Sequence, residues 1–337
     1  MMKILLVFLF IAMFLLSTGC DPKTGAEGGE CFDNGACKGN LKCLLNLCVD
    51  LGDMTEYPDV NPADSVPDME SDDAEQPDDE NGDESGNDDE PPDLIDECDF
   101  SVEVQNKEDL DSIVNCRVIT GELIIEETGL EEVVLPHLEG VWDRFDIWGN
   151  ANLKKVSAPK LKSIGEVLAI VENPLLSEIV FTSLISVKGV TFVGKNDSLE
   201  TLSFPNLEVS EYGFVIAFND HLETIDVPKL KKVDYECEIL KNKALKSFNA
   251  PLLETVGDLF VFRNESLESF YLSSLSKAEW GAYLISNPQL PTEMAESLVA
   301  QLLAEEGLDE EDYEICGNKN GKACEGEWDF DIDWDDM

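Results

Sequence analysis

Apolar and polar residues alternate in short bursts along this chain, and the bursts recur. In "GDLFVFRNESLESF", residues 257–270, Leu259 and Val261 alternate with other residue types, Asn264 follows, and Leu267 stands three places on. The same alternation occurs at Leu168 and Ile170 and at Phe214 and Ile216. A period of two over about five residues predicts a short strand with one face inward. The asparagine recurs as Asn150, Asn173, Asn196, Asn219, Asn242, Asn264 and Asn287, in steps of 23 with one step of 22. Each has a leucine three residues later, from Leu153 to Leu290. A second series, Pro136, Pro159, Thr182, Pro205, Pro228, Pro251 and Ser273, keeps the same spacing and marks a second corner.

A repeat of this length is the mark of a solenoid. Each turn donates a strand to a parallel sheet and stacks ~4.8 Å from its neighbours, because one turn cannot bury its own face. The asparagine closes each coil by bonding backbone groups at the corner and laddering with the asparagines above and below. The pattern therefore predicts an all-β-dominated chain: a right-handed parallel β-solenoid of seven to eight turns with short helical caps. At the first turn Glu127 or Thr128 replaces the asparagine. After the last, "NPQLPTEMAESLVAQLLAEEGL" predicts a helix, with Pro291 in its first turn, Glu293 near its positive end, and Met294, Leu298, Val299 and Leu302 on one face. Gly307 stops it, and the helix would cover the open end of the coil.

The start of the chain departs from this pattern. "MMKILLVFLFIAMFLLSTGC" has one lysine, thirteen apolar residues from Ile4 to Leu16, and small residues ending at Cys20. That run is short of the ~20 residues a spanning helix needs, and it reads as an export signal over 1–19. Ser17-Thr18-Gly19-Cys20 resembles the lipobox of bacterial lipoproteins, which makes Cys20 the lipidation site and the lipid the chain's contact with membrane. Residues 20–30 are then a short spacer.

Export sets the reading of the other nine cysteines, because pairs in an oxidising compartment become disulfides. Cys31, Cys37, Cys43 and Cys48 crowd into residues 31–48, a stretch too short for a core, and two bridges are expected to hold it. The spacings lack the close pairs of a structural zinc site. Cys98 and Cys116 bracket the segment before the first coil, and Cys316 and Cys324 follow the last, which predicts one cap disulfide at each end. Cys237 is left over in the inward column of Leu168, Phe214 and Leu259, as a buried thiol.

Composition changes the picture for the remaining stretch. Residues 49–97 contain no lysine or arginine and are rich in Asp, Glu, Pro and Gly, which predicts a disordered, self-repelling acidic linker. No EF-hand spacing organises its carboxylates for calcium. The formal charge of −49 argues against nucleic acid as a partner.

Chemistry is sparse. His137 and His221 are the two histidines of the chain and fall in different repeat slots, so neither a His-based triad nor a His-based metal site is expected. There is no phosphate-binding loop, H-E-x-x-H or G-x-S-x-G. Asp146, Glu236 and Glu238 are outward carboxylates, but Asp146 lies four turns from the other two, too far for joint acid–base work. The expectation is no catalytic residue, no metal, no cofactor and a protein that binds rather than reacts.

The coil "VGDLFVFRNESLESF", the cysteine-bracketed segment with a helix after Asn106, and the "NPQLP" ending followed by a helix resemble the receptor L-domain over residues 98–324. The segment 31–48 resembles the N-terminal cysteine-rich module of dickkopf proteins. The L-domain resemblance implies a ligand-binding β-solenoid lobe, here carried by a bacterial lipoprotein at the outer membrane or cell surface. Leucine-rich repeats of the usual kind place the leucine two residues after the asparagine, not three. The 23-residue BspA-like repeat is the rival family, and it implies a structural envelope protein that self-associates.

The outward strand positions carry Trp148, Phe192, Phe260, Phe262 and Tyr283, and the column just before the asparagine adds Lys195, Lys241 and Arg263. An aromatic lane edged by cations suits an acidic polypeptide or a glycan, and these eight residues are the expected ligand-binding face. The tail 325–337, "EGEWDFDIDWDDM", sets Trp328, Phe330 and Trp334 among carboxylates.

Overall fold

A computed structural model describes residues 94–325, apart from 99, 306, 310 and 311, together with the backbone of two short strands nearer the N-terminus. Those two, Lys42–Leu44 and Leu47–Val49, pair antiparallel with Cys43 opposite Cys48. The expected lipidation site Cys20, the expected bridges among Cys31, Cys37, Cys43 and Cys48, nearly all of the acidic linker and the tail beyond Glu325 lie outside the described residues.

Residues 94–325 wind into a parallel β-solenoid of about eight turns. The strands before the asparagines stack in register, so that Leu168 faces Phe145 on one side and Thr191 on the other. Short strands on the approach to this ladder, such as Ser163–Ile164 and Ser186–Val187, form a second one. From Lys232–Leu240 onward the two run together as single long strands. A third ladder follows the leucines, through Lys155–Ser157 and Glu178–Val180 and, further on, Thr201–Ser203 and Thr224–Asp226. The first strand, Ile95–Cys98, takes in the last residues of the acidic stretch and pairs with Cys116–Ile119.

The asparagines form one buried wire along the axis. Each side-chain amide nitrogen donates to a strand carbonyl of the previous coil and to the amide oxygen of the next asparagine, and that oxygen also accepts the backbone N–H of the asparagine below. Asn173 thus reaches Ile147 O at 2.9 Å and Asn196 Oδ1 at 3.1 Å. Thr128, and not Glu127, makes the first rung, giving both its N–H and its hydroxyl to Asn150 Oδ1. The wire continues past Asn287 to Asn318, whose oxygen accepts from the Asn287 N–H at 3.1 Å. That rung breaks the spacing because helix α2 (Thr292–Ala304) and its loop are inserted between the two.

The second corner explains the proline series. Each proline, Thr182 or Ser273 follows the first residue of a tight turn, as in Leu184 N–H to Phe181 O at 3.2 Å, a position where proline's fixed φ costs nothing. Where proline is absent, the hydroxyl bonds the coil below: Thr182 to Pro159 O at 3.3 Å and Ser273 to Pro251 O at 3.2 Å. Inside, the leucines from Leu153 to Leu290 are fully buried, each such burial being worth ~1.5–3 kcal/mol. Phe181 stacks on Phe204 with centroids 6.3 Å apart and meets Phe145 at a tilt, 5.9 Å away. Buried Thr191 is satisfied by Ser210 Oγ at 2.8 Å.

Helix α1 (Lys107–Ile113) starts at a capping box between Asn106 and Asp109 and buries Leu110 and Ile113 beside the strand Val102–Val104. Helix α2 buries Ala295, Leu298, Val299 and Leu302, with Pro291 just outside its first turn. It is not the terminal lid that its sequence suggests. The strand Tyr313–Cys316 follows it and pairs in parallel with Lys277–Ile285, so the helix occupies one side of a final coil. Gly307 approaches Lys277–Ile285 so closely that a Cβ would lie 1.9 Å from Ser276 O. Disulfides join Cys98 to Cys116 and Cys316 to Cys324, and Cys237 is a buried free thiol between Phe214 and Leu259.

Candidate functional site

The outer face of the main sheet is built by the residues four and two places before each asparagine. The first column runs Asp146, Ala169, Phe192, Val215, Glu238, Phe260, Tyr283. The second runs Trp148, Val171, Gly194, Ala217, Leu240, Phe262, Ile285. The aromatic lane exists, but its members differ from the exposed surface that their outward positions suggest. Phe260 and Phe262 are 8 % and 2 % exposed, while Trp148, Phe192 and Tyr283 are half-buried. In-register stacking is part of the reason: Phe260 lies against Tyr283 with centroids 4.5 Å apart and planes 14° apart. Adjacent rungs of a parallel ladder necessarily cover one another.

The residue just before each asparagine has a feature its identity conceals. Glu127, Glu172, Lys195, Phe218, Lys241, Arg263 and Ser286 all have φ between +49° and +59°, joined by Gly149 and Gly317. The left-handed conformation is unfavourable for residues with a Cβ, and the asparagine wire holds it on every coil. It turns each of these side chains along the edge of the lane. Arg263 lies 4.9 Å from the Phe262 ring centre and Lys241 5.1 Å from that of Phe218. Lys195 pairs with Glu172 at 2.7 Å, and Glu172 also accepts from the Trp148 indole at 3.2 Å. The expected cation column is therefore interleaved with a carboxylate and a ring.

Acid groups share the same face. Glu238 stands in the Asp146 column four rungs on, about 19 Å away at ~4.8 Å per rung, so the two do not act on one bond. Burial pushes the Asp146 carboxyl up despite its bond to Arg144. Burial pushes Glu236 up to about 7 and Glu238 to about 8, with further repulsion from Asp258 on both and from Glu236 on Glu238. Cys237, between them in sequence but facing inward, is raised by burial to about 12, which keeps it a thiol. His221 Nδ1 lies 2.6 Å from Asp197 O, and buried His137 Nδ1 has no partner.

Sequence reading missed a second set of aromatics. Tyr212, Tyr235 and Trp280 stand seven residues before Asn219, Asn242 and Asn287, at the bend where the approach strands meet the main ladder, and all three are exposed. The signal was the single 22-residue step. Its missing residue falls between Val256 and Asp258, where Gly257 alone spans what two residues span on either side.

Comparison with known proteins gave no matching family model and no matching curated protein.

Proposed function

We propose that this chain is a lipid-anchored bacterial cell-envelope protein whose solenoid is a non-catalytic recognition or adhesion module for a protein or glycan ligand. The observation that carries the reading is the outer sheet face, where Phe260 stacks on Tyr283 and Lys241 lies over Phe218 across adjacent coils, and Arg263 lies over Phe262 within its own coil. Repeat scaffolds of this kind use one stacked face for binding. Disulfides near both ends and a helix inserted in the last coil favour a closed module over one that stacks end to end on further copies, and they suit the likeness to receptor L-domains.

The purified chain is expected to bind a defined set of ligands on peptide and glycan arrays, and Lys241→Glu with Arg263→Glu is expected to lose them. A wild-type chain that binds nothing, or a double variant with an unchanged profile, refutes this use of the face. Sedimentation should show a monomer; concentration-dependent filaments would favour the self-associating envelope reading instead. The anchor has its own test. Cys20→Ser removes the one acceptor thiol of the lipobox, so the variant should move from the detergent to the aqueous phase in a partition assay, and a variant that stays with the detergent defeats the lipid assignment.

A further inference from the structure

The cluster at the bend has the properties of a second, separate site. Tyr212 and Tyr235 are 54 % and 42 % exposed, and Trp280 is 39 % exposed. The tyrosine rings are 5.2 Å apart with 15° between their planes, and Trp280 meets Tyr235 at 5.3 Å and 62°. The near-parallel tyrosine rings face one another, so the stack presents its edges and its outermost ring face to solvent. Below Tyr212 the same column holds Gly189, which has no side chain to cover the last ring.

The short coil builds the cluster. Tyr235 and Trp280 sit two coils apart, and the coil between them supplies Gly257 where a bulky residue would separate them. A Cβ there would lie 2.7 Å from the Trp280 ring and 2.4 Å from the Tyr235 carbonyl oxygen. The register shift on both sides of Gly257 is a bulge, a device that re-aims side chains at a sheet bend. One deleted residue thus lets Trp280 fold over the gap onto Tyr235, and turns a column with an interruption into a continuous aromatic ridge.

Its rim is made of paired charges. Lys232 bonds Asp234 at 2.6 Å and Lys277 bonds Glu279 at 2.5 Å, one pair on each side of the short coil. Lys232 is also drawn to Glu211 and Glu279, so the rim holds donors and acceptors together. Among the described residues, no hydrogen bond engages the Tyr212 and Tyr235 hydroxyls or the Trp280 indole N–H.

We propose that Tyr212, Tyr235 and Trp280 form a binding site for a neutral polysaccharide, whose C–H groups pack on the uncovered ring faces and edges and whose hydroxyls bond the flanking ion pairs. Two observations select this ligand class. The rim offers donors and acceptors together, which suits hydroxyl groups better than a single-sign partner. The formal charge of −49 disfavours a polyanionic glycan.

The test is calorimetric titration of the full-length protein with cellohexaose and laminarihexaose, alongside hexagalacturonate and a decaproline peptide. At least one neutral hexasaccharide is expected to bind, with tryptophan fluorescence changing on binding. Trp280→Ala and Tyr235→Ala should each weaken it on the order of tenfold, the loss of about one ring contact, and Trp280→Phe should retain most of the affinity. Unchanged thermal melts would show that the losses are local. Failure of both neutral probes to bind, binding that the alanine variants leave intact, or preference for the peptide or the anionic glycan each overturns the proposal. Because the lane variants lie on other columns, their array profile is read independently of this result.

Discussion

Asn219→Ala is expected to cost about 3–6 kcal/mol of folding free energy, because it strands several buried polar groups at once. The Asn219 amide donates to Val193 O at 3.0 Å, Ala217 O at 3.1 Å and Asn242 Oδ1 at 3.2 Å, and its oxygen accepts the Asn196 N–H at 3.1 Å. Alanine fits the space but leaves the Asn196 N–H and the Val193 carbonyl without these partners in a place water does not reach. It also removes the group that holds Phe218 at φ +58°. Urea denaturation of the two chains would measure the loss. Asn318→Ala, at the last described rung, should cost less, since the Asn318 amide nitrogen donates to Leu284 O where that of Asn219 donates to three acceptors. An Asn219→Ala chain within about 1 kcal/mol of the parent would mean that the wire is not what holds the coils.

Glu238→Gln is expected to stabilise the fold at alkaline pH and not at acid pH. The folded state holds Glu238 at about 8 and Glu236 at about 7, against an ordinary 4.5. The native chain therefore keeps protons that the unfolded chain gives up. Their contribution is fully present below pH ~4.5 and is lost as pH rises through 7 and 8. The size of those shifts puts the effect on the order of 3 kcal/mol for Glu236 and 5 kcal/mol for Glu238. Glutamine removes the charge that would otherwise be forced into the buried column, and lowers the repulsion on Glu236. Melts at pH 5 and pH 9 should show the variant level with the parent at the first and more stable at the second. Parallel pH profiles would show that Glu238 ionises without penalty.

The repeat was legible because its corners use residues with distinctive chemistry. Asparagine is chosen at the buried corner for having both a donor and an acceptor, and proline at the other for its fixed φ, so both leave a periodic trace. The left-handed column left none. Glu172, Phe218 and Arg263 share a backbone conformation imposed by the wire, and only Gly149 and Gly317 betray it by type. Asn318 escaped because a helix lengthens its coil and breaks the count. In the candidate site, position along the strand correctly placed Phe260 and Phe262 on the outer face, but could not reveal that stacked neighbours hide them. Tyr212, Tyr235 and Trp280 escaped for the opposite reason: they lie at the bend, outside the alternating stretch, and are brought together by a deletion.

The in-register wire also has a mechanical meaning. Its rungs are chemically alike from Asn150 to Asn287, and each coil closes on its neighbours through the same set of bonds. Pulled from its two ends along the stacking axis, such a domain has no single weakest joint to give way. It would yield one coil at a time, each release adding roughly 75–80 Å of slack from 23 extended residues. A force–extension trace would then be a train of nearly even teeth, and the protein would absorb a sudden load by paying out chain while the remaining coils kept their shape.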